Sequence, residues 1–419
     1  MGKSASVRSA RCGLLNLAAL LGAAAAGAIA ISGPAAAQRS PLPIVDVHVH
    51  VLPNRDMSFD ESVAASVQMM DRFGIARSIV MSPPRNPRIR MNYDYADFRA
   101  ALLRYPGRFA YLAGGGTLNP ILHGHAASGS VTETVMRDFS EAARRAIDDG
   151  ATGFGEMSSL HISLIPQHAY NYVPANHPLL LALADVAAER DVPIDLHMDA
   201  VAAEMPAPPR LARFPNNPSR FPATVDALER LLTHNRRARI VWAHGGSDPI
   251  GDLTVERVTI LMDRHPNLFM SLRVVGPRAP VENKLFAGPQ IAPEWLTLLT
   301  RHSERFVIGT DSFYVGTSPG GGGGPAREFA SRTQPKLAAT VRFLALLPPD
   351  LARKISSENA VRIYRLTDIS VQERPDEAAH SRAAPKSRPG RCRDGNMDHC
   401  RIACERGVQP ACARLQSGH

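Results

Sequence analysis

Residues 43–50, Pro-Ile-Val-Asp-Val-His-Val-His, place two imidazoles two positions apart on what reads as an extended strand. With a side-chain period of two, Val45, Val47 and Val49 fall on one face and Asp46, His48 and His50 on the other. Two imidazoles leaving one face can grip a single cation; a surface pair of histidines is the bland alternative. Later strand-like runs end in residues of the same kind: Glu156 ends 152–156, His197 ends 192–197, His244 ends 238–244 and Asp311 ends 305–311. Four imidazoles and two carboxylates are a donor set for a catalytic divalent cation, zinc first among them. A bound cation lowers the pKa of its water from about 15.7 to about 7. Asp311, beside that water, is the candidate to take its proton and pass it to a leaving group. His244 or the metal would polarise the carbonyl or phosphoryl oxygen. Arg273, ending a run at 267–273, is the candidate anchor for a substrate carboxylate, with a surface arginine as the competing reading. His123, His125, His161 and His168 read as loop histidines without an assigned role.

The elements that must position these residues alternate in type. Strand-like runs at 43–50, 76–81, 108–113, 152–156, 192–197, 238–244, 267–273 and 305–311 are separated by helical spacing at 60–73, 93–104, 130–149, 178–190, 223–234, 254–264 and 292–302. Thr132 is placed to cap the long helix and Gly150 to stop it. Helices at 335–346 and 349–366 follow. Eight short strands alternating with helices predict an α/β fold of the (β/α)8 TIM-barrel type, with extra C-terminal helices. A doubly wound open sheet is the alternative, but the first strand is not followed by a glycine-rich phosphate turn. In a barrel, the carboxyl ends of all eight strands converge on one mouth, so the six candidates would meet there. A proline-rich stretch at 206–218 and five glycines at 320–324 read as loops rimming that mouth. The glycine run is not a phosphate loop, since no Lys-Ser or Lys-Thr follows it.

The ends of the chain read differently. Lys3, Arg8 and Arg11 precede an Ala/Leu/Gly run at 13–31, and Ala35–Ala37 offers small residues for cleavage before Gln38. Residues 1–37 therefore read as a cleaved signal peptide, against an uncleaved membrane anchor. That implies a periplasmic or secreted protein with no membrane contact after cleavage. The formal net charge is +9, and the signal carries three of those cations. The cluster Arg236, Arg237 and Arg239 reads as a solvated helix end, so no nucleic-acid partner is expected. The expected partner is a small-molecule substrate; assembly into a homo-oligomer stays open. With 44% apolar and 21% charged residues the composition is that of a globular protein. Residues 370–390 read as a polar linker. Cys392, Cys400, Cys404 and Cys412 then form two copies of C-x-x-G-x-x-x-x-C, and clustered cysteines in an exported chain suggest disulfides. Zinc held by four thiolates is the rival.

The order Asp46-x-His48-x-His50, Glu156, His197, His244, Asp311 resembles the amidohydrolase superfamily, and within it the amidohydrolase-2 branch. Trp242-Ala-His-Gly-Gly246, Ile308-Gly-Thr-Asp311 and Asn359-Ala-Val-Arg-Ile-Tyr364 are similar to that branch's strand-six, strand-eight and closing-helix signatures. The resemblance covers about 43–366. It implies a barrel hydrolase with one or two divalent ions. The superfamily's familiar binuclear form has a carboxylated lysine on strand four, where this chain has Glu156. By resemblance, Glu156 would bridge two ions, one held by His48, His50 and Asp311, the other by His197 and His244. Otherwise His48, His50, His197 and Asp311 hold one ion and His244 is left for catalysis. The implied reaction is hydrolysis of a lactone, ester or amide; non-oxidative decarboxylation of an aromatic or unsaturated acid is the alternative within the branch. The cysteine units resemble Sel1-like helical repeats, which implies disulfides Cys392–Cys400 and Cys404–Cys412 in a small helical tail at 391–419.

Overall fold

The computed structural model describes residues 40–54, 56–84, 92–126, 131–165, 169–316 and 330–367. The expected signal peptide, the glycine run, the linker and the cysteine tail lie outside the described residues, as does His168. The strand that opens the described chain, β1 (Ile44–Val51), is buried along its whole length, as strands of a parallel sheet covered on both faces must be. Val45 and Val47 pack with Ile79, Val307, Ile363 and Tyr364. Val49 and Val51 pack with Phe59, Val63 and Phe98.

Helix α1 (Asp60–Phe73) buries Val63, Met70 and Phe73 and stops at Gly74, whose φ of 79° permits the left-handed turn back to Met70 O. Next come β2 (Ile75–Val80), α2 (Tyr95–Leu102), β3 (Phe109–Tyr111) and β4 (Ala113–Gly114). Short helix α3 (Leu118–Gly124), which sequence periodicity does not announce, precedes α4 (Glu133–Asp148). There the Thr132 side chain accepts from Val135 N, as its capping position requires. β5 (Phe154–His161) runs five residues beyond the expected end at Glu156 and pairs with β6 (Asn171–Tyr172). Helix α5 (Pro178–Arg190) starts on a His177 side-chain cap followed by proline. Strand β7 (Pro193–Met198) is followed by a hairpin of β8 (Met205–Pro206) and β9 (Arg220–Phe221) around α6 (Pro209–Ala212). α7 (Val225–His234), β10 (Arg239–Gly245), α8 (Val255–Arg264) and β11 (Leu268–Leu272) continue the alternation. The β12 (Phe286–Ala287) and β13 (Gln290–Ile291) hairpin, α9 (Pro293–Arg301), β14 (Phe306–Ile308) and β15 (Ser312–Tyr314) follow, and α10 (Thr333–Leu346) comes after them. The expected single last helix is instead α11 (Pro349–Arg353), a π turn at Lys354–Glu358 and α12 (Asn359–Tyr364).

These elements form an α/β fold around a parallel sheet. Its hydrogen-bonded order is β3-β2-β1-β14-β11-β10-β7-β5-β4, with β15 also beside β1. The two ends of that order, β3 and β4, are consecutive in the chain and separated by Leu112 alone. Among the described residues no helix is long and apolar enough to cross a membrane.

The turn after β4 is held by one carboxylate. Asp94 Oδ2 accepts from Gly114 N, Gly116 N, Thr117 N and Thr117 Oγ1 at 2.9, 3.3, 3.0 and 2.6 Å. The backbone passes so close that a Cβ on Gly116 would sit 1.9 Å from Tyr93 O. Gly116→Ala should therefore destabilise by about 1–3 kcal/mol, the usual overpacking cost, read as a lower denaturation midpoint. An unchanged midpoint would mean that the turn yields more easily than this contact implies.

Candidate metal centre

The strands bring the six candidates together, five of them near carboxyl ends and Glu156 from the first half of β5. His48 and His50 lie near the end of β1, Glu156 is the third residue of β5, and His197 and His244 are the penultimate residues of β7 and β10. Arg273 follows β11, and Asp311 stands in the break between β14 and β15. His244 and Asp311 have φ of 73° and 53°, a region that L residues enter at a cost and that clusters at functional sites. Asp311 N is tied to His48 O at 2.9 Å.

Glu156 is the centre of the arrangement, and its two oxygens face different histidines. Oε2 lies 3.5 Å from His48 Nε2 and 3.4 Å from His50 Nε2. Oε1 lies 2.5 Å from His197 Nδ1 and 3.5 Å from His244 Nε2, and those two imidazole nitrogens are 3.1 Å apart. Two groups suited to a metal result: His48, His50 and Glu156, and Glu156, His197 and His244. Asp311 joins the first through Oδ1, 3.4 Å from His50 Nε2.

The tautomers suit a cation. His50 Nδ1 donates to Met81 O at 2.9 Å, and His48 Nδ1 donates to Asp195 at 3.2 Å. With Nδ1 committed as the donor, Nε2 is in each ring the atom left for a cation, and both Nε2 atoms are buried without a hydrogen bond. Buried imidazole nitrogens left in that state are what a metal site requires. The residues present therefore fit a divalent ion. Burial opposes the charge on Glu156, but His48, His197 and His244 outweigh it and hold the carboxyl well below its usual range. Burial likewise opposes the proton on His48, and Asp195 and Glu156 overcome it, raising its pKa. His197 is pushed up to about 10 by Asp199 and Glu156 against burial. Burial drives His244 down to about 3, so its imidazole is neutral. The same anionic surroundings that hold protons on His48 and His197 would hold a cation in their place.

Arg273 is already engaged: Nη2 lies 3.0 Å from Asp311 Oδ2, and Nη1 donates to Ser247 Oγ at 3.2 Å. With Lys336, it overcomes burial and holds the Asp311 carboxyl well below its usual range.

Several residues absent from the sequence reading support this centre. Asp195 bonds His48, and Asp199 Oδ2 lies 3.7 Å from His197 Nε2. Asn119, from the unannounced α3, donates to Glu156 O at 2.6 Å and accepts from Ser158 N at 3.1 Å. Lys336 of α10 is buried and its Nζ donates to Asp311 O; burial lowers its pKa to about 7. His123 and His161, expected on loops, lie in α3 and at the end of β5. The His161 ring centroid is 4.5 Å from that of His197. The strand alternation carries the signal for Asp195 and Asp199, since each is two residues from His197.

An α/β protein that gathers imidazoles and carboxylates at the carboxyl ends of parallel strands has the form of a metal-dependent enzyme. The amidohydrolase family model matches residues 45–366, and the chain belongs to that family. It is accordingly a metal-dependent enzyme of the amidohydrolase superfamily acting on a small molecule through a divalent ion. No curated protein matches the chain. Among solved structures, a 2,6-dihydroxybenzoate decarboxylase complexed with 2,6-dihydroxybenzoate is 13% identical, with 78% of this chain and 100% of that chain covered and a TM-score of 0.42. The 5-carboxyvanillate decarboxylase of Sphingomonas paucimobilis is 11% identical, covering 78% and 100%, with a TM-score of 0.44. An amidohydrolase from Burkholderia multivorans with bound zinc is 11% identical, covering 78% and 100%, with a TM-score of 0.43.

Proposed function

We propose that the protein is an exported hydrolase that cleaves a lactone, ester or amide at a binuclear centre, with zinc as the resident ion. The observation that carries this reading is the division of Glu156, whose Oε2 faces His48 and His50 while Oε1 faces His197 and His244. A carboxylate placed between two imidazole pairs is suited to bridge two ions. The nitrogen-rich donor set favours zinc. Joining β3 and β4 across Leu112 would close the eight main strands into a (β/α)8 barrel, with the site at its carboxyl-end face.

When bound, the ions supply Lewis acidity and a water of lowered pKa. In this reading Asp311 Oδ1 accepts a proton from the attacking water and returns it to the leaving group. His244, its imidazole neutral, would hold the second ion together with His197. Arg273 keeps Asp311 ionised through Oδ2 and shares its guanidinium with a substrate carboxylate. Export rests on the basic, then apolar, then small-residue pattern of 1–37. An exported chain would also favour the disulfides Cys392–Cys400 and Cys404–Cys412.

Metal analysis tests the centre. The mature protein should carry about two ions per chain, and Glu156→Gln should lower that to one or fewer. One ion in the parent, retained in the variant, would remove the bridge and move the assignment to the decarboxylase alternative. In that case His48, His50, His197 and Asp311 hold the ion and His244 is free for catalysis. Screening the metal-loaded protein against lactones, acyl amides and aromatic acids identifies the substrate class.

A further inference from the structure

We propose that Asp195 is a positioning residue that sets the tautomer and metal affinity of His48, an inference resting on the metal centre proposed above. Asp195 and His197 alternate on β7, so the strand that carries one ligand candidate also buttresses another from β1. Asp195 is fully buried, and both of its carboxylate oxygens lie 3.2 Å from His48 Nδ1. That contact keeps a proton on Nδ1 and leaves Nε2, on the Glu156 side of the ring, as the atom that a cation would take.

The surroundings of Asp195 separate this role from a structural one. Asp94 is also buried, but it accepts from the backbone amides of Tyr95, Gly114, Gly116 and Thr117 and from the Thr117 hydroxyl. Asp46, beside His48 on β1, accepts from Thr310 N at 2.9 Å and from Thr310 Oγ1 at 2.6 Å. Asp195 has no such support: among the described residues His48 is its one hydrogen-bond donor, and Oδ1 makes no hydrogen bond. A buried carboxylate compensated by a single imidazole costs more in desolvation than it returns in fold stability. Its return is at the metal, where a carboxylate behind an imidazole raises ligand basicity and fixes the ring.

Asp195→Asn preserves the shape and removes the charge. In the full chain, stripped by a chelator and titrated with Zn2+ or Co2+ against a competing chelator, the variant should bind about 10–100-fold more weakly. The visible spectrum of the Co2+ form should shift. The denaturation midpoint of the metal-free variant should equal or exceed that of the parent. Binding within twofold of the parent, or parallel losses of midpoint and affinity, overturns the proposal. A second measurement needs no variant: 15N-histidine NMR of the Zn2+-loaded parent should show His48 protonated at Nδ1 and metal-bound at Nε2. Metal at Nδ1 also overturns it. A parent that binds neither ion sinks the metal centre and this inference together, whereas a parent that binds and a variant that matches it sink this inference alone.

Discussion

The double variant His48→Ala, His50→Ala should be purified without its cation. The two imidazoles present their Nε2 atoms 3.5 and 3.4 Å from the same Glu156 oxygen, and neither atom has a competing hydrogen bond. Removing both leaves the first half of the centre with carboxylates alone, too few donors for tight zinc binding. Glu156 also loses His48, one of the groups that hold it ionised against burial, which weakens its hold on the second ion as well. The strand should persist, because Val45, Val47 and Val49 pack on side chains other than these histidines. Metal content by elemental analysis should fall to background, while circular dichroism keeps its helical and strand signal. Full metal occupancy would place the cation elsewhere.

The candidate donors were legible because strand alternation and strand-end position are both local properties. Asp46, His48 and His50 declare a shared face by spacing alone, and His197 and His244 stand at the ends of apolar runs. The helices at 60–73 and 178–190 were legible to the residue, since Gly74 ends the first and the His177-Pro178 cap starts the second. What the sequence conceals is set by tertiary placement. Nothing local distinguishes Lys336 from the other polar residues of α10, yet folding brings its Nζ to Asp311 O. Asn119 lies in a helix of seven residues containing Pro120, too short for periodicity to register. Strand eight reads as one run through Asp311, but β14 stops at Ile308, and β15 begins only at Ser312, past the left-handed residue 311. The π turn inside the last helix has no signal in the spacing of apolar residues.

Asp311→Asn should fold and still fall in turnover by about a hundred- to ten-thousand-fold, the range for losing a positioned proton-transfer group. The main-chain anchors of residue 311 survive the change, since its N–H bonds His48 O and its carbonyl accepts from Lys336. An amide oxygen can still accept from Arg273, which now bonds Oδ2 at 3.0 Å, so the guanidinium is not abandoned in a buried site. What the amide cannot do is take up a proton at neutral pH or neutralise a cation beside His50. The loss should therefore appear in kcat with KM little changed, because the group acts on the proton in flight rather than on substrate binding. A drop in metal content alone would give a different signature, recovered by adding excess Zn2+; the loss from a missing base persists at saturation. Near-parent turnover at saturating metal would remove Asp311 as the base and leave His244, neutral and 3.5 Å from Glu156 Oε1, as the group to test next.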